Sequence, residues 1–147
     1  MRKRRHILAL SAIATLGFWL RTRLLLVTIR GSSMEPTYRQ GDQLLILRTE
    51  RISTGDVILL SRPENAERIV GSRAEPEEGL YIKRVCAIEG DDIPPSVPAD
   101  EESVPQGRLV VMGDANRSYD SRHWGTISRS LVIGRALRAR SNPCSMG

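Results

Sequence analysis

The feature that most restricts the fold of this 147-residue chain is its punctuation. Apolar or alternating runs of four to eight residues recur along it: Leu24 to Arg30, Gln43 to Leu47, Asp56 to Leu60, Tyr81 to Ile88, Leu109 to Met112 and Leu131 to Ala136. Each is bounded by Gly, Pro, Asp or Ser, which is how strands begin and end. No stretch after residue 30 keeps a 3.6-residue period long enough for a helix. The polar segment Ser61 to Gly79 reads as a loop. So does the proline-rich stretch Asp91 to Gly107, because Pro94, Pro95, Pro98 and Pro105 have no amide to give a ladder. The expected fold is mainly β, at a length that suits one domain.

The net charge of +5 is carried unevenly. Residues 1–30 hold seven basic side chains (Arg2, Lys3, Arg4, Arg5, Arg21, Arg23, Arg30) and no acid, which leaves the remainder with 15 bases against 17 acids. A nucleic-acid-binding domain would gather its cations on the folded face. Aromatic content of 4% also offers no stacking platform, so no nucleic acid is expected as partner. Behind Arg2–Arg5 the run Ile7 to Leu20 is free of charge, the pattern of an export signal. Fourteen residues make only about 21 Å of helix. Continuing through Leu24–Val27 would reach across a bilayer if Arg21 and Arg23 snorkel at the far interface. No small-residue cleavage site follows Leu20, so a retained single-pass anchor is expected, with the basic cluster in the cytoplasm and the chain beyond about residue 30 outside. A buried amphipathic helix of a soluble protein is the other reading. The division that follows is 1–27 basic cluster and anchor, 28–140 β domain, and 141–147 tail.

Two cysteines, Cys86 and Cys144, stand far apart and in no metal-binding spacing; one bridge or two free thiols are both open. Neither a metal nor an organic cofactor is expected. Chemistry enters through the lysines. Of 22 basic residues only Lys3 and Lys83 are lysine. Lys3 lies in the terminal cluster, where any cation serves, whereas Lys83 lies mid-strand beside Arg84. Arginine does not lose its proton in a protein; a desolvated amine does, and then acts as a general base. An incidental surface lysine is the competing view. A candidate nucleophile lies in Gly31-Ser32-Ser33-Met34-Glu35-Pro36-Thr37, directly after the first strand. A histidine triad is poorly supplied, since only His6 and His123 are present and no G-x-S-x-G elbow occurs.

These residues carry a resemblance. Gly31–Thr37 followed by Gly41-Asp42, then Gly55-Asp56-Val57, then Tyr81-Ile82-Lys83-Arg84-Val85 with Gly90-Asp91, then Gly113-Asp114-Ala115-Asn116-Arg117-Ser118-Tyr119-Asp120-Ser121-Arg122 with Gly125, resembles bacterial type I signal peptidase. The blocks occur in that family's order across residues 24–136. The stretch from Lys83 to Gly113 is too short for the extra β domain of the larger relatives, so the compact forms, including mitochondrial inner-membrane peptidases, are the nearer likeness.

The resemblance implies an antiparallel β fold carrying a membrane-anchored serine endopeptidase that removes signal peptides from preproteins outside the membrane. By its motifs Ser33 is the nucleophile and Lys83 the base. Ser118 would orient the amine, and Asp120 and Arg122 would pair beneath the site. Burial against strand neighbours, with Val85 and Ala87 on the same face by alternation, would bring the lysine pKa down about two units. Asp114 and Asn116 would hold a turn through side-chain to backbone bonds. Many relatives have a serine hydroxyl where this chain has Gly31, so a backbone N–H near Gly31 would join the Ser33 amide as oxyanion donor. Ile29, Met34, Tyr81 and Ile82 would line a shallow pocket for small residues, with Tyr38 in place of a usual aliphatic. A dedicated maturation protease of the same superfamily, and a non-catalytic anchored β domain that binds partners, are the alternatives. His123 receives no role.

Overall fold

The computed structural model describes residue 17, residues 21–63 and residues 79–137. Seven antiparallel strands form one sheet in the order β1-β2-β7-β3-β4-β5-β6. They are β1 (Leu24–Thr28), β2 (Gln43–Leu47), β3 (Val57–Ser61), β4 (Leu80–Ile88), β5 (Arg108–Met112), β6 (Ile127–Ser128) and β7 (Val132–Ala136). The six apolar runs correspond to six of these strands with ends shifted by a residue or two. β6 has only two residues and no run to announce it. One helical turn, α1 (Ser121–Trp124), precedes it, capped by the Asp120 carboxylate, which accepts from the Arg122 amide.

Two expectations about the first residues meet at β1. Residues 21–23 are helical, but Leu24–Val27 do not continue that helix: they pair with β2, from Leu24 opposite Leu47 to Thr28 opposite Gln43. Three leucines and a valine on a pleated ribbon bury one face against the sheet, which a lipid-facing helix would forgo. The expected anchor therefore gains no length from Leu24–Val27. Among the described residues no helix is long and apolar enough to cross a membrane, and the run Ile7 to Leu20 lies outside them apart from Gly17.

Packing explains the patterns read along the chain. β3 is buried on both faces: Ile58 and Leu60 join a core with Ile52, Val85, Leu109, Val111, Trp124 and Ile127, while Val57 and Leu59 join another with Ile29, Met34, Tyr38, Leu44, Ile46 and Ala136. A strand covered on both sides reads as a continuous apolar run, as Val57–Leu60 does. A third cluster joins Val97 and Val104 of the proline-rich segment to Ala87, Val110 and Met112. That segment carries no strand, only an isolated bridge between Asp92 and Ser103.

Candidate active site

β4 carries Lys83, the expected base. Its register with β3 sets Lys83 opposite Ile58 and Tyr81 opposite Leu60. By alternation Tyr81, Lys83 and Val85 share one face, and the first core, with Trp124, lies against it. Ala87 does not share that face. A bulge lets Val85 face Val111 and Ala87 face Val110, so Cys86 is the extra residue and Ala87 is turned into the third cluster. Cys86 itself is disulfide-bonded.

Lys83 is 2% exposed. Its Nζ donates to Ser118 Oγ at 2.8 Å. Burial is the largest influence on the amine and brings its pKa from 10.5 down to about 8; Asp120 raises it, Arg122 lowers it and Asp114 raises it by smaller amounts. The acids and the guanidinium oppose one another, and desolvation decides the direction.

The loop from Gly113 to Asp120 holds this amine. Asp120, fully buried, accepts from the Gly113 amide at 2.8 Å and from Arg122 Nε and Nη2 at 2.9 and 2.7 Å. Burial alone would raise this carboxyl; the Arg122 guanidinium and the two backbone amides outweigh it and hold the carboxyl below its ordinary value. Arg122 is raised in turn by that hydrogen bond. Arg122 Nη2 also donates to the Ala115 carbonyl at 3.3 Å, so the pair closes the loop on itself.

A second buried pair was not legible in the motif. Asp114 does not cap its own turn; its two oxygens accept from Arg84 Nε and Nη2 at 2.8 and 2.7 Å, the side chains being 1% and 5% exposed. Arg84 Nη1 donates to the Gly55 carbonyl at 2.9 Å. A bidentate guanidinium reaches farther than an Asx turn and satisfies a charge that burial would otherwise leave costly. The residue beside the lysine thereby ties the loop to β4 and to the turn before β3. Asn116 serves through its backbone carbonyl, which accepts from Arg122 Nη1 at 3.4 Å.

Ser33 lies partly buried in the turn between β1 and β2. Its carbonyl accepts from the Ala115 amide at 3.1 Å. Gly113 is where the two segments meet: a Cβ there would overlap both the Ser118 hydroxyl and the Ser33 carbonyl. The turn bearing Ser33 and the hydroxyl bonded to Lys83 thus abut the same glycine. Gly31 has φ +86° with open space around its Cα. Space would admit a serine side chain, but the left-handed backbone disfavours one by about 1 kcal/mol or more.

The four expected pocket residues divide. Ile29, Met34 and Ile82 belong to the second core, with Tyr38 buried among them, whereas Tyr81 faces the other way, edge-on to Trp124 at 5.4 Å between ring centroids. Adjacent residues of a strand point to opposite faces, so Tyr81 and Ile82 cannot line one pocket wall. His123 stacks on exposed Tyr119 with centroids 4.7 Å apart. Trp124, unmarked in the sequence reading, has its ring centroid 6.0 Å from Lys83 Nζ.

Known proteins resemble this chain in sequence. The family described as signal peptidase, peptidase S26, matches residues 3–97 and 94–139. A probable signal peptidase I-2 of Synechocystis sp. is 31% identical, covering 74% of this chain and 59% of its own length. The mitochondrial ATP-independent inner membrane protease subunit 1b of Arabidopsis thaliana is 33% identical, with 73% and 64% covered. Signal peptidase I V of Bacillus subtilis is 30% identical, with 72% and 79% covered. The chain spans about three-fifths of the cyanobacterial and plant relatives, 59% and 64% of their lengths. Matched over most of its residues by that family and by both its bacterial and its mitochondrial branches, the chain belongs to the signal peptidase family, peptidase S26.

Proposed function

We propose that this protein is a membrane-anchored serine endopeptidase that removes signal peptides from exported preproteins with a Ser33–Lys83 dyad. The observation that carries the proposal is a buried amine whose pKa is about 8, fixed by Ser118 on a loop that also touches the Ser33 turn. In its neutral form Lys83 takes the proton of Ser33 Oγ as the hydroxyl attacks the scissile carbonyl. The resulting ammonium returns the proton to the leaving amine, and the acyl-enzyme is released by a water that the same amine deprotonates. Negative charge on the carbonyl oxygen is met by the Ser33 amide and a backbone N–H near Gly31. Asp120 and Arg122 keep the loop, and with it Ser118, in place.

The names of the signal peptidase relatives support preproteins as substrates. Anchoring through the run Ile7 to Leu20 would set the catalytic domain on the extracytoplasmic side. Register partners Leu26 and Leu45, with neighbouring Leu137, leave an exposed leucine patch on the strands that follow this run, which suits a domain held against a bilayer.

The test is cleavage of a model preprotein, with small residues at one and three positions before the cut, by the full chain in lipid vesicles. Ser33→Ala and Lys83→Ala should each lower the rate by at least about 10³-fold. Activity persisting in either variant eliminates the dyad.

A further inference from the structure

An amine keeps a low pKa only while water is kept from it, so each wall around Lys83 matters. Tyr81 and Val85 flank it on β4, and Ile58 stands opposite on β3. The titratable and charged groups that face the amine are Tyr81 on its own strand, Asp114 and Asp120 from the loop, and Arg122 from α1; Ser118 gives its hydroxyl. None of these is an apolar lid. That part falls to Trp124, 5% exposed, at the end of α1, with its ring 6.0 Å from Nζ and braced edge-on by Tyr81.

We propose that Trp124 is a positioning residue that excludes water from the Lys83 amine and so sets the pH above which the enzyme works. Two effects of the indole oppose each other. Its π face attracts an ammonium and favours protonation, but at about 6 Å this lies at the outer edge of such contacts. Its bulk displaces water and favours the neutral amine. Because burial is the largest influence on Lys83, water exclusion prevails. The Asp120 cap of α1 then has a second consequence: the residue that fastens the Ser118 loop also fixes the turn that carries the indole.

The experiment exploits the two lysines. In full-length protein labelled with ¹³Cε-lysine only two side chains report, the Lys83 signal is identified by its loss in Lys83→Met, and its titration is read without turnover. That midpoint is therefore independent of the dyad proposal, on which the link to enzyme activity rests and which the Ser33→Ala assay tests separately. Trp124→Leu keeps an apolar side chain but opens room beside Nζ. It should raise the Lys83 midpoint by about one pH unit, a roughly tenfold loss of neutral amine at pH 7, with the acidic limb of kcat/KM moving equally. Trp124→Phe should restore the midpoint to within about 0.3 unit. A folded Trp124→Leu protein with an unchanged or lowered midpoint overturns the proposal. A measurement that needs no core substitution covers the case in which that variant fails to fold. In Trp19→Phe protein Trp124 is the single indole, and its emission should titrate with the Lys83 midpoint and cease to do so in Lys83→Met; emission flat from pH 7 to 9.5 overturns the proposal as well.

Discussion

At Lys83 the folded protein holds an amine near pKa 8 that titrates at 10.5 when nothing surrounds it. Between those values the unfolded chain binds more protons than the folded one, so stability rises as pH climbs from about 8 to about 10.5. Below 8 the whole deficit is present, on the order of 3 kcal/mol. Lys83→Met removes the titration while keeping the buried stem. It should stabilise the protein at pH 7 by about 2 kcal/mol once the lost Ser118 hydrogen bond is allowed for, and this gain should vanish at about pH 10, where the remaining deficit equals the lost bond. Urea denaturation at both pH values checks it; a variant less stable than the wild type at pH 7 would contradict the desolvated-amine account. The buried amine was legible as a candidate because the chain is so poor in lysine that one amid arginines demands a reason. Trp124 was not, because an aromatic between His123 and Gly125 reads as any core residue until the register of β4 brings Nζ beneath it.

Among the elements, strands were legible because a buried face leaves a pattern of period two or an unbroken run, and both survive in sequence. The bulge at Cys86 leaves no such trace: alternation carried past it gives Ala87 the Lys83 face, whereas the extra residue turns it away. The loop from Gly113 to Asp120 was legible as a motif, but the Arg84–Asp114 pair was not, since its partners are 30 residues apart and meet only through the fold. At Gly113 the loop leaves no room for a side chain. Gly113→Ala would set a methyl against the Ser118 hydroxyl and the Ser33 carbonyl at once, and one of the two must yield. Overpacking of this kind costs about 1–3 kcal/mol. Because either displacement disturbs the proposed chemistry, through the Lys83 partner or through the turn bearing Ser33, kcat should fall by more than about 100-fold while the protein still folds, which denaturation and preprotein cleavage measured together will separate.

On the scale of the whole molecule, the proposed nucleophile and base come from parts of the sheet that are not neighbours in the ladder. Ser33 lies between β1 and β2, Lys83 lies on β4, and β7, the last strand among the described residues, stands between β2 and β3. The β1–β2 ribbon is joined to the rest of the ladder through β7, where Ala136 pairs with Ile46 and packs in the second core. The ladder thus joins the two halves of the proposed site through β7, although β7 contributes no residue to it. Ala136→Asp would bury a carboxylate at that junction, at a cost of about 3–5 kcal/mol. Cleavage should be lost at every pH, unlike Trp124→Leu, whose rate should return as the medium becomes alkaline. Leu137→Asp, one residue further and 47% exposed, is the matched control and should change stability by no more than about 0.5 kcal/mol. If Ala136→Asp kept its activity while destabilised, β7 would be a support for the sheet alone, and the turn bearing Ser33 would be held by its bond to Ala115 without help from the ladder.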